Sequence, residues 1–145
     1  MDVKELVQKS VDDWNKKDKE SFLANFTERS EITAPGGVVL HGLEGVGMLW
    51  EIWQGAVPDS HGTISNIFAA DRRACCEVTF EGTQTGTLRV GEGSATPATG
   101  RHVCVPIAQV HVIDDGRFVT SHLYFDQFGL FTQLGLVSMQ GVNSR

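Results

Sequence analysis

The fold of this chain is decided by residues 101–125, which read RHVCVPIAQVHVIDDGRFVTSHLYF. Two runs in this stretch, Arg101–Ile113 and Phe118–Phe125, are rich in the β-branched and aromatic residues that favour strands. Between them stands Asp114-Asp115-Gly116-Arg117, and an Asp-Gly pair in such a place is a strong signal for a tight hairpin turn. The stretch therefore predicts two long antiparallel strands.

The hairpin can be aligned residue by residue if Asp115-Gly116 is a two-residue turn that joins Asp114 to Arg117. Because strand side chains alternate between the two faces, one set of residues then falls on the same face. The predicted pairs on that face are His111 with Thr120, Gln109 with His122, Ile107 with Tyr124, and Val105 with Asp126. A turn longer by one residue would exchange the facing set and separate these side chains.

The aligned face is largely apolar but also carries five polar residues, Gln109, His111, His122, Tyr124 and Asp126. Buried polar groups are costly unless they are hydrogen-bonded, and a polar cluster on an apolar sheet face is typical of a small-molecule pocket. Taken alone, His122 also fits an exposed strand position, and Tyr124 also fits the core. His111, His122 and Asp126 match no metal-binding motif, so we expect no metal site.

Asp126 admits two interpretations. It stands among large apolar residues between a strand and a helical pattern that extends to Leu136, and desolvation in such a place raises the pKa of a carboxyl group towards that of a general base or acid. Asp is also a favoured helix N-cap, which needs no catalytic role. The two interpretations are not exclusive, and the sequence leaves both open.

The rest of the chain supplies helices first and strands afterwards. Asp2 and Glu5 form a capping pair before a helix whose apolar stripe reaches Trp14. The other predicted elements are a helix at Lys19–Phe26, strands at Ile32–Ala34 and Val38–Leu40, a helix at Leu43–Ala56, strands at Thr63–Ala69 and Cys75–Thr83, and a flexible loop or hairpin tip at 86–100. This order predicts one α+β domain over residues 1–145, a curved sheet wrapped over helices, with a flexible tail from about residue 137.

Composition argues against several classes of protein. The chain has 145 residues, a formal net charge of −6 and no run of Lys or Arg, so nucleic acid is not an expected partner. No apolar run is long enough for a membrane span and the N-terminus lacks the apolar segment of a secretory signal, so we expect a cytoplasmic protein without a membrane partner. Cys75, Cys76 and Cys104 are expected to be reduced packing residues.

Several short motifs follow one another along the chain. They are Gly82-Thr83-Gln84-Thr85-Gly86, Pro97-Ala98-Thr99-Gly100-Arg101, Asp115-Gly116, Tyr124-Phe125-Asp126-Gln127 and Gln133-Leu134-Gly135-Leu136. In this order they resemble the SnoaL-like polyketide cyclases and ester cyclases, which belong to the nuclear-transport-factor-2-like superfamily. The resemblance covers nearly the whole chain, and it implies a cone-shaped, curved, mixed but mostly antiparallel sheet packed over the N-terminal helices.

The resemblance also implies roles for individual residues. Asp126 matches the position of the acid/base in the cyclases, while Gln109 and His111 match pocket residues. Many relatives have His where this chain has Gln84, which removes an acid/base there but keeps a hydrogen-bond donor. The polar residue that many cyclases carry on the first short strand has only Thr33 as a candidate here.

The expected function is a cofactor-free intramolecular aldol condensation on a hydrophobic, polyketide-like substrate. Asp126 would remove a proton from an activated carbon, and Gln109 and His111 would donate hydrogen bonds to the enolate oxygen. The residues expected to bind substrate are His122, Tyr124, Trp50, Trp53, Phe128 and Gln84.

Alternatives to this function remain open at the level of sequence. An epoxide hydrolase or a dehydratase would use the same pocket, although Arg101 is the one Arg at a strand start in range and no second carboxylate stands on the Asp126 face. A non-catalytic small-molecule binder is a further alternative. The apolar alternate face of the hairpin, with Ala108, Val110, Val112 and Leu123, predicts a homodimer that forms through the sheet.

Overall fold

A computed structural model of the protein describes residues 2–89 and 95–138. The helices are α1 (Val3–Asn15), α2 (Lys19–Leu23), α3 (Gly42–Ala56) and α4 (Gln127–Gln133). The strands are β1 (Phe26–Ala34), β2 (Val38–His41), β3 (His61–Ala70), β4 (Arg73–Thr83), β5 (Leu88–Arg89), β6 (Ala95–Thr96), β7 (His102–Asp114) and β8 (Arg117–Phe125). The predicted α+β class is confirmed, and residues 139–145 of the expected tail lie outside the described residues.

Local sequence explains where the first two helices begin. The amide of Glu5 donates to Asp2 Oδ1 at 2.8 Å and the amide of Asp2 donates to Glu5 Oε1 at 2.9 Å, which is the predicted capping pair. Asp18 caps α2 by accepting a hydrogen bond from the amide of Ser21 at 3.1 Å. The second helix is shorter than predicted, because the chain already enters β1 at Phe26.

Among the described residues, six strands form one curved sheet in the order β2-β1-β8-β7-β4-β3. β1 and β8 run parallel, whereas every other neighbouring pair of this sheet is antiparallel. β5 and β6 pair with each other in a separate short ladder, so the segment expected to be a loop or hairpin tip does carry strand structure. Residues 90–94, between these two strands, lie outside the described part of the chain.

The register between β7 and β8 differs from the prediction by one residue. The turn is as expected, since Asp114 pairs with Arg117, but a β-bulge follows at Val119. One extra residue on one strand shifts all later pairs and turns the side chains beyond it to the other face. The pairs after the bulge are Val112 with Thr120, His111 with Ser121, Val110 with His122, Gln109 with Leu123, Ala108 with Tyr124, and Ile107 with Phe125.

The bulge therefore divides the predicted polar row between the two faces of the sheet. Gln109 and His111 share the inner face, towards the helices, with Ser121 and Leu123. His122 and Tyr124 share the outer face with Val110 and Ala108. The core lies between the inner face and the helices, and its buried residues include Leu6, Val7, Phe22, Ile32, Val46, Trp50, Cys76 and Phe118.

Candidate functional site

A cavity of about 160 Å³ lies between the inner face of the sheet and the helices α1 to α4. Its walls are mainly apolar and rich in aromatic rings, with Trp14, Phe22, Phe26, Trp53, Phe80 and Phe118 among them. The polar side chains that line it are Ser10, Gln109, His111 and Ser121. An apolar cavity with a few convergent polar groups is the usual form of a small-molecule site.

The polar wall of the cavity is a chain of hydrogen bonds on the inner face of β4, β7 and β8. Ser121 Oγ lies 2.8 Å from His111 Nδ1, and His111 Nε2 lies 3.1 Å from Gln109 Oε1. The thiol of Cys76 donates to the same Gln109 oxygen at 3.4 Å. Because Ser121, His111 and Cys76 are buried, these contacts are shielded from bulk water.

The imidazole of His111 is neutral at physiological pH. Burial lowers its pKa from 6.5 to about 4, because the charged form would lose its hydration inside the core. The same effect raises the pKa of the Cys76 thiol to about 12, with a smaller contribution from Cys75, so the sulfur stays protonated. The wall therefore holds polar but uncharged groups.

The side-chain amide of Gln109 reaches the cavity. Its oxygen accepts hydrogen bonds from inside the protein, whereas its nitrogen has no partner among the residues that the structure describes. No buried side-chain nitrogen or oxygen in those residues lacks a partner, so the amide nitrogen must touch accessible space. Since Gln109 lines the cavity, this space is the cavity, and the nitrogen offers its N–H groups to whatever binds there.

Asp126 does not lie where the aligned hairpin placed it. It is exposed and is not a lining residue of the cavity. Its Oδ1 accepts a hydrogen bond from the amide of Gly129 at 2.9 Å, which makes it the N-cap of α4. Phe125 and Leu130, on either side of it in sequence, do line the cavity, so Asp126 lies next to a part of the chain that forms the cavity wall. The cap is thus observed, and the acid/base role stays a prediction.

Of the other residues that were predicted to bind substrate, one lines the cavity and the rest do not. Trp53 lines the cavity as expected, but Trp50 is buried in the core and is not a lining residue. His122 and Tyr124 lie on the outer face, where Tyr124 Oη is 3.3 Å from His122 Nδ1. Phe128 is exposed on α4 and also does not line the cavity. The shifted register explains the positions of His122 and Tyr124, because the bulge turns both side chains away from the cavity.

Gln84 is a loop anchor and not a cavity residue. Its amide nitrogen donates to the carbonyl oxygens of Gly86 and Pro97, at 2.9 and 3.2 Å. Its amide oxygen accepts from the amide and the hydroxyl of Thr99, at 3.0 and 2.6 Å. The side chain is fully buried and its hydrogen-bonding capacity is used within the protein, so it has no free donor or acceptor for a ligand, and the predicted contact with substrate stays a prediction.

Sequence reasoning missed Ser121 and Cys76. Ser121 fell on the opposite face in the predicted register, and Cys76 was interpreted as a packing residue. A strand-like run around Cys75 and Cys76 does predict that one of them points inward. The pattern does not reveal which cysteine points inward, or that Gln109 Oε1 on the neighbouring strand β7 accepts a hydrogen bond from its thiol.

The structure also bears on metal binding and on membrane crossing. Within residues 2–89 and 95–138, no three or more His, Cys, Asp or Glu side chains are grouped as metal ligands would be. None of the helices in the same ranges combines the length and apolar character needed to cross a bilayer.

Residues 7–121 match the sequence profile of a family described as SnoaL-like domain. This match spans most of the chain and so is sufficient to assign the family. No curated protein matches the chain.

Solved structures support the fold independently. A candidate SnoaL-like polyketide cyclase from Jannaschia sp. CCS1 aligns with a TM-score of 0.80 at 17% identity, over 92% of this chain and 91% of that chain. TsrD from Streptomyces laurentii aligns with a TM-score of 0.77 at 26% identity, over 93% and 96%. An NTF2-like protein of unknown function from Burkholderia pseudomallei K96243 aligns with a TM-score of 0.75 at 17% identity, over 90% and 95%. The predicted NTF2-like architecture is therefore confirmed.

Proposed function

Because this chain belongs to the SnoaL-like domain family, we propose that it is a small-molecule enzyme that closes a ring by intramolecular aldol condensation. The substrate is an apolar compound with several carbonyl groups, and no cofactor takes part. The family assignment supports the class of protein, and the polar groups of the cavity wall support the reaction. The resemblance of the fold to a candidate polyketide cyclase agrees with this choice.

The observation that carries the proposal is the amide nitrogen of Gln109 in an apolar cavity. Its N–H groups meet the oxygen of a bound carbonyl compound and stabilise the negative charge that develops when an enolate forms. Low polarity around the donor strengthens this interaction, since there is little water to screen it. Neutral His111 supports the donor by accepting and donating hydrogen bonds without adding charge.

The proposed reaction moves one proton and forms one carbon–carbon bond. Asp126 removes a proton from a carbon between two carbonyl groups, and the electron pair passes to oxygen as an enolate. The enolate carbon attacks a third carbonyl carbon, and the resulting alkoxide takes the proton back from the Asp126 carboxyl group. In a second proton transfer, Asp126 removes the remaining proton from the same carbon, the neighbouring C–OH bond breaks, and the hydroxide takes that proton and leaves as water, which gives a cyclic enone. A positioned base of this kind contributes about 10²–10⁴-fold to the rate.

The size of the cavity limits the part of the substrate that it can enclose. A volume of about 160 Å³ is close to that of an engineered apolar cavity that binds benzene, at about 150 Å³. The enclosed part of the substrate is therefore about one ring. A longer substrate would extend beyond the cavity, and the proposed reaction requires that it reach past Phe125 and Leu130 to Asp126.

A small triketone tests the proposal. Octane-2,4,7-trione has an acidic carbon between two carbonyls, and its aldol condensation gives a five-membered cyclic enone and water, which is followed by ultraviolet absorbance. We expect turnover by the wild type, and a kcat/KM about 10²-fold lower in Gln109→Met, which keeps the volume and removes the donor. Gln8→Met, on the exposed side of α1, is the matched control. Equal turnover in the wild type and Gln109→Met would refute the role of the amide.

A non-catalytic binder is the second candidate, and one observation favours it. The described lining residues of the cavity include no carboxylate, so a carboxylate base would have to act from outside this lining. Under this alternative the triketone raises the melting temperature of the protein while no enone appears. Product formation above the uncatalysed rate excludes it.

We also propose that two copies of the chain pair through the outer face of the sheet. This face carries exposed apolar side chains on several strands, with Phe68 at 62%, Tyr124 at 56% and Val110 at 36% exposure. Contiguous exposed apolar surface marks an interaction site more often than it marks bare surface. Leu123, expected on this face, points to the cavity instead.

A further inference from the structure

The hydrogen bonds that join Ser121 to His111 and His111 to Gln109 have a fixed donor and acceptor at each step. His111 is neutral, so one of its ring nitrogens donates and the other accepts. Gln109 Oε1 can only accept, so His111 Nε2 must carry the proton that binds it. Nδ1 is then an acceptor, and the Ser121 hydroxyl must donate to it. Protons thus point from Ser121 to His111 and from His111 to Gln109.

Cys76 reinforces this direction from the neighbouring strand. Its Sγ lies 3.4 Å from Gln109 Oε1 and remains protonated, so the thiol is a second donor to the same oxygen. The reverse orientation of the Gln109 amide would place N–H groups against the sulfur, which is a weak acceptor. It would also require the other tautomer of His111, with Nδ1 donating to Ser121. The thiol therefore favours the orientation in which the amide nitrogen faces the cavity.

We infer that Ser121 and Cys76 are positioning residues that hold the Gln109 amide with its nitrogen towards the cavity, so that the site selects a compact ring compound whose polar group accepts hydrogen bonds. Ketones, quinones and enolates belong to this class, and hydrocarbons of the same shape do not. The inference rests on the proposed function only in that the cavity binds a small molecule. It does not depend on the aldol reaction or on Asp126.

The tautomer of His111 is the first test, and it needs no ligand. Long-range ¹H–¹⁵N correlation spectra of the labelled protein distinguish Nε2–H from Nδ1–H, and His111→Gln assigns the signals. We expect the Nε2–H form in the wild type. The Nδ1–H form would overturn the inference, because Gln109 would then have to turn its oxygen towards the cavity.

Ligand preference is the second test. Acetophenone and isopropylbenzene have nearly the same shape, but the former has a carbonyl oxygen where the latter has a methyl group. We expect acetophenone to bind about tenfold more tightly to the wild type, as measured by calorimetry, because isopropylbenzene leaves the amide nitrogen without a partner. Equal affinities would overturn the assigned ligand class while leaving small-molecule binding in place. Failure of both ligands to bind would overturn the ligand class and the proposed function together, and the tautomer would still decide the positioning role.

Variants separate positioning from simple packing. Cys76→Ser keeps a donor to Gln109 Oε1 and should keep the preference for acetophenone, whereas Cys76→Ala should lower it severalfold. Ser121→Ala should lower the preference too, and its His111 signals should show a mixture of tautomers. Cys75→Ala, the adjacent cysteine on the outer face, is the control and should change neither. An unchanged preference in both Cys76→Ala and Ser121→Ala would overturn the positioning role.

Discussion

The imidazole of His111 stacks on the ring of Phe118, with ring centroids 4.2 Å apart and ring planes 29° apart. The stacking places the imidazole in the apolar core beside the cavity. One of its nitrogens, Nδ1, is hydrogen-bonded to the Ser121 hydroxyl. A protonated imidazole would lose its hydration there, which is why the pKa falls to about 4. The same burial links the stability of the fold to pH.

We expect the protein to lose stability between pH 7 and pH 5. The unfolded chain binds a proton at His111 near pH 6.5, whereas the folded chain binds it near pH 4, so acid favours unfolding across this window. The loss at pH 5 relative to pH 8 is about 2 kcal/mol from this group. Urea denaturation at a series of pH values measures it.

His111→Gln is the control for the pH experiment, because it removes the buried imidazole and leaves the other four histidines in place. Its stability should change much less between pH 7 and pH 5 than that of the wild type. The same slope in both proteins would mean that His111 is not the group responsible. Below pH 4 Asp13 adds to the loss of stability: burial raises the pKa of this carboxyl group, but hydrogen bonds from Lys9, Asn25 and Ser21 and the charge of Lys9 together hold it below its ordinary value.

Substitution of Asp126 can separate the cap from the catalyst. Asn caps a helix as well as Asp does, so Asp126→Asn should leave the free energy of unfolding nearly unchanged. Asp126→Ala removes the acceptor for the Gly129 amide and should cost about 1 kcal/mol. If the carboxylate is the base, Asp126→Asn should also lower the kcat for octane-2,4,7-trione by about 10²-fold or more. Circular dichroism confirms the fold, and full turnover by folded Asp126→Asn would contradict the acid/base role.

Some of this structure could be predicted because the signals are local. The capping pair Asp2 and Glu5 lies within four residues, and the turn at Asp115-Gly116 is set by its own backbone preferences. The positions of β2, β3, β4, β7 and β8 along the chain also follow from runs that are rich in β-branched and aromatic residues. These features depend on residues that are close in sequence, so a single sequence contains the information.

The candidate site depends on a feature that the sequence does not mark. Phe118 and Val119 are both apolar strand formers, so either one suits an inward position at the start of β8. Packing of Phe118 against His111 accompanies the bulge at Val119, and the bulge decides that Ser121 and not His122 reaches the cavity. One added residue in the ladder therefore moved His122 and Tyr124 out of the predicted polar cluster and brought Ser121 into it.

Gln84 should behave as an anchor of its loop. Gln84→Ala removes a fully buried side chain and leaves the carbonyl oxygens of Gly86 and Pro97 and the amide of Thr99 without the partner that shields them. Unsatisfied buried groups are costly, so we expect a loss of about 3 kcal/mol in urea denaturation. Thr99→Val removes the hydroxyl that donates to Gln84 and accepts from the amide of Arg101, and should cost about 1 kcal/mol. If Gln84→Ala were as stable as the wild type but had a raised KM for octane-2,4,7-trione, this result would instead indicate that Gln84 binds substrate.

Two glycines of α3 should respond to alanine in opposite directions. A Cβ at Gly47 meets nothing within 4 Å, so Gly47→Ala should stabilise the helix by about 0.5–1 kcal/mol through its higher helix propensity. A Cβ at Gly45 would lie 2.9 Å from the backbone of Leu40, so Gly45→Ala should be destabilising by about 1–3 kcal/mol. Thermal unfolding of the two variants compares them directly. Stabilisation by both would mean that β2 can move away from α3.

The proposed dimer depends on one row of side chains across the outer face of the sheet. Cross-strand pairing joins Val39, Thr33, His122, Val110, Cys75 and Phe68 into this row. Its apolar members are spread over β2, β7 and β3, so a second sheet packed face to face would cover them together. We therefore expect Val110, at the centre of the row, to be the most sensitive position.

Light scattering after size exclusion tests the dimer at micromolar concentration. The wild type should have twice the mass of one chain, and Val110→Asp should have the mass of a single chain, because a charge would be buried without a partner at the centre of the interface. Met48→Asp is the matched control, since Met48 is 50% exposed on α3 and lies away from the outer face. Both variants should keep the far-ultraviolet circular dichroism of the wild type. A wild type that runs as a single chain, or a Val110→Asp protein that stays paired, would show that this face is not the interface.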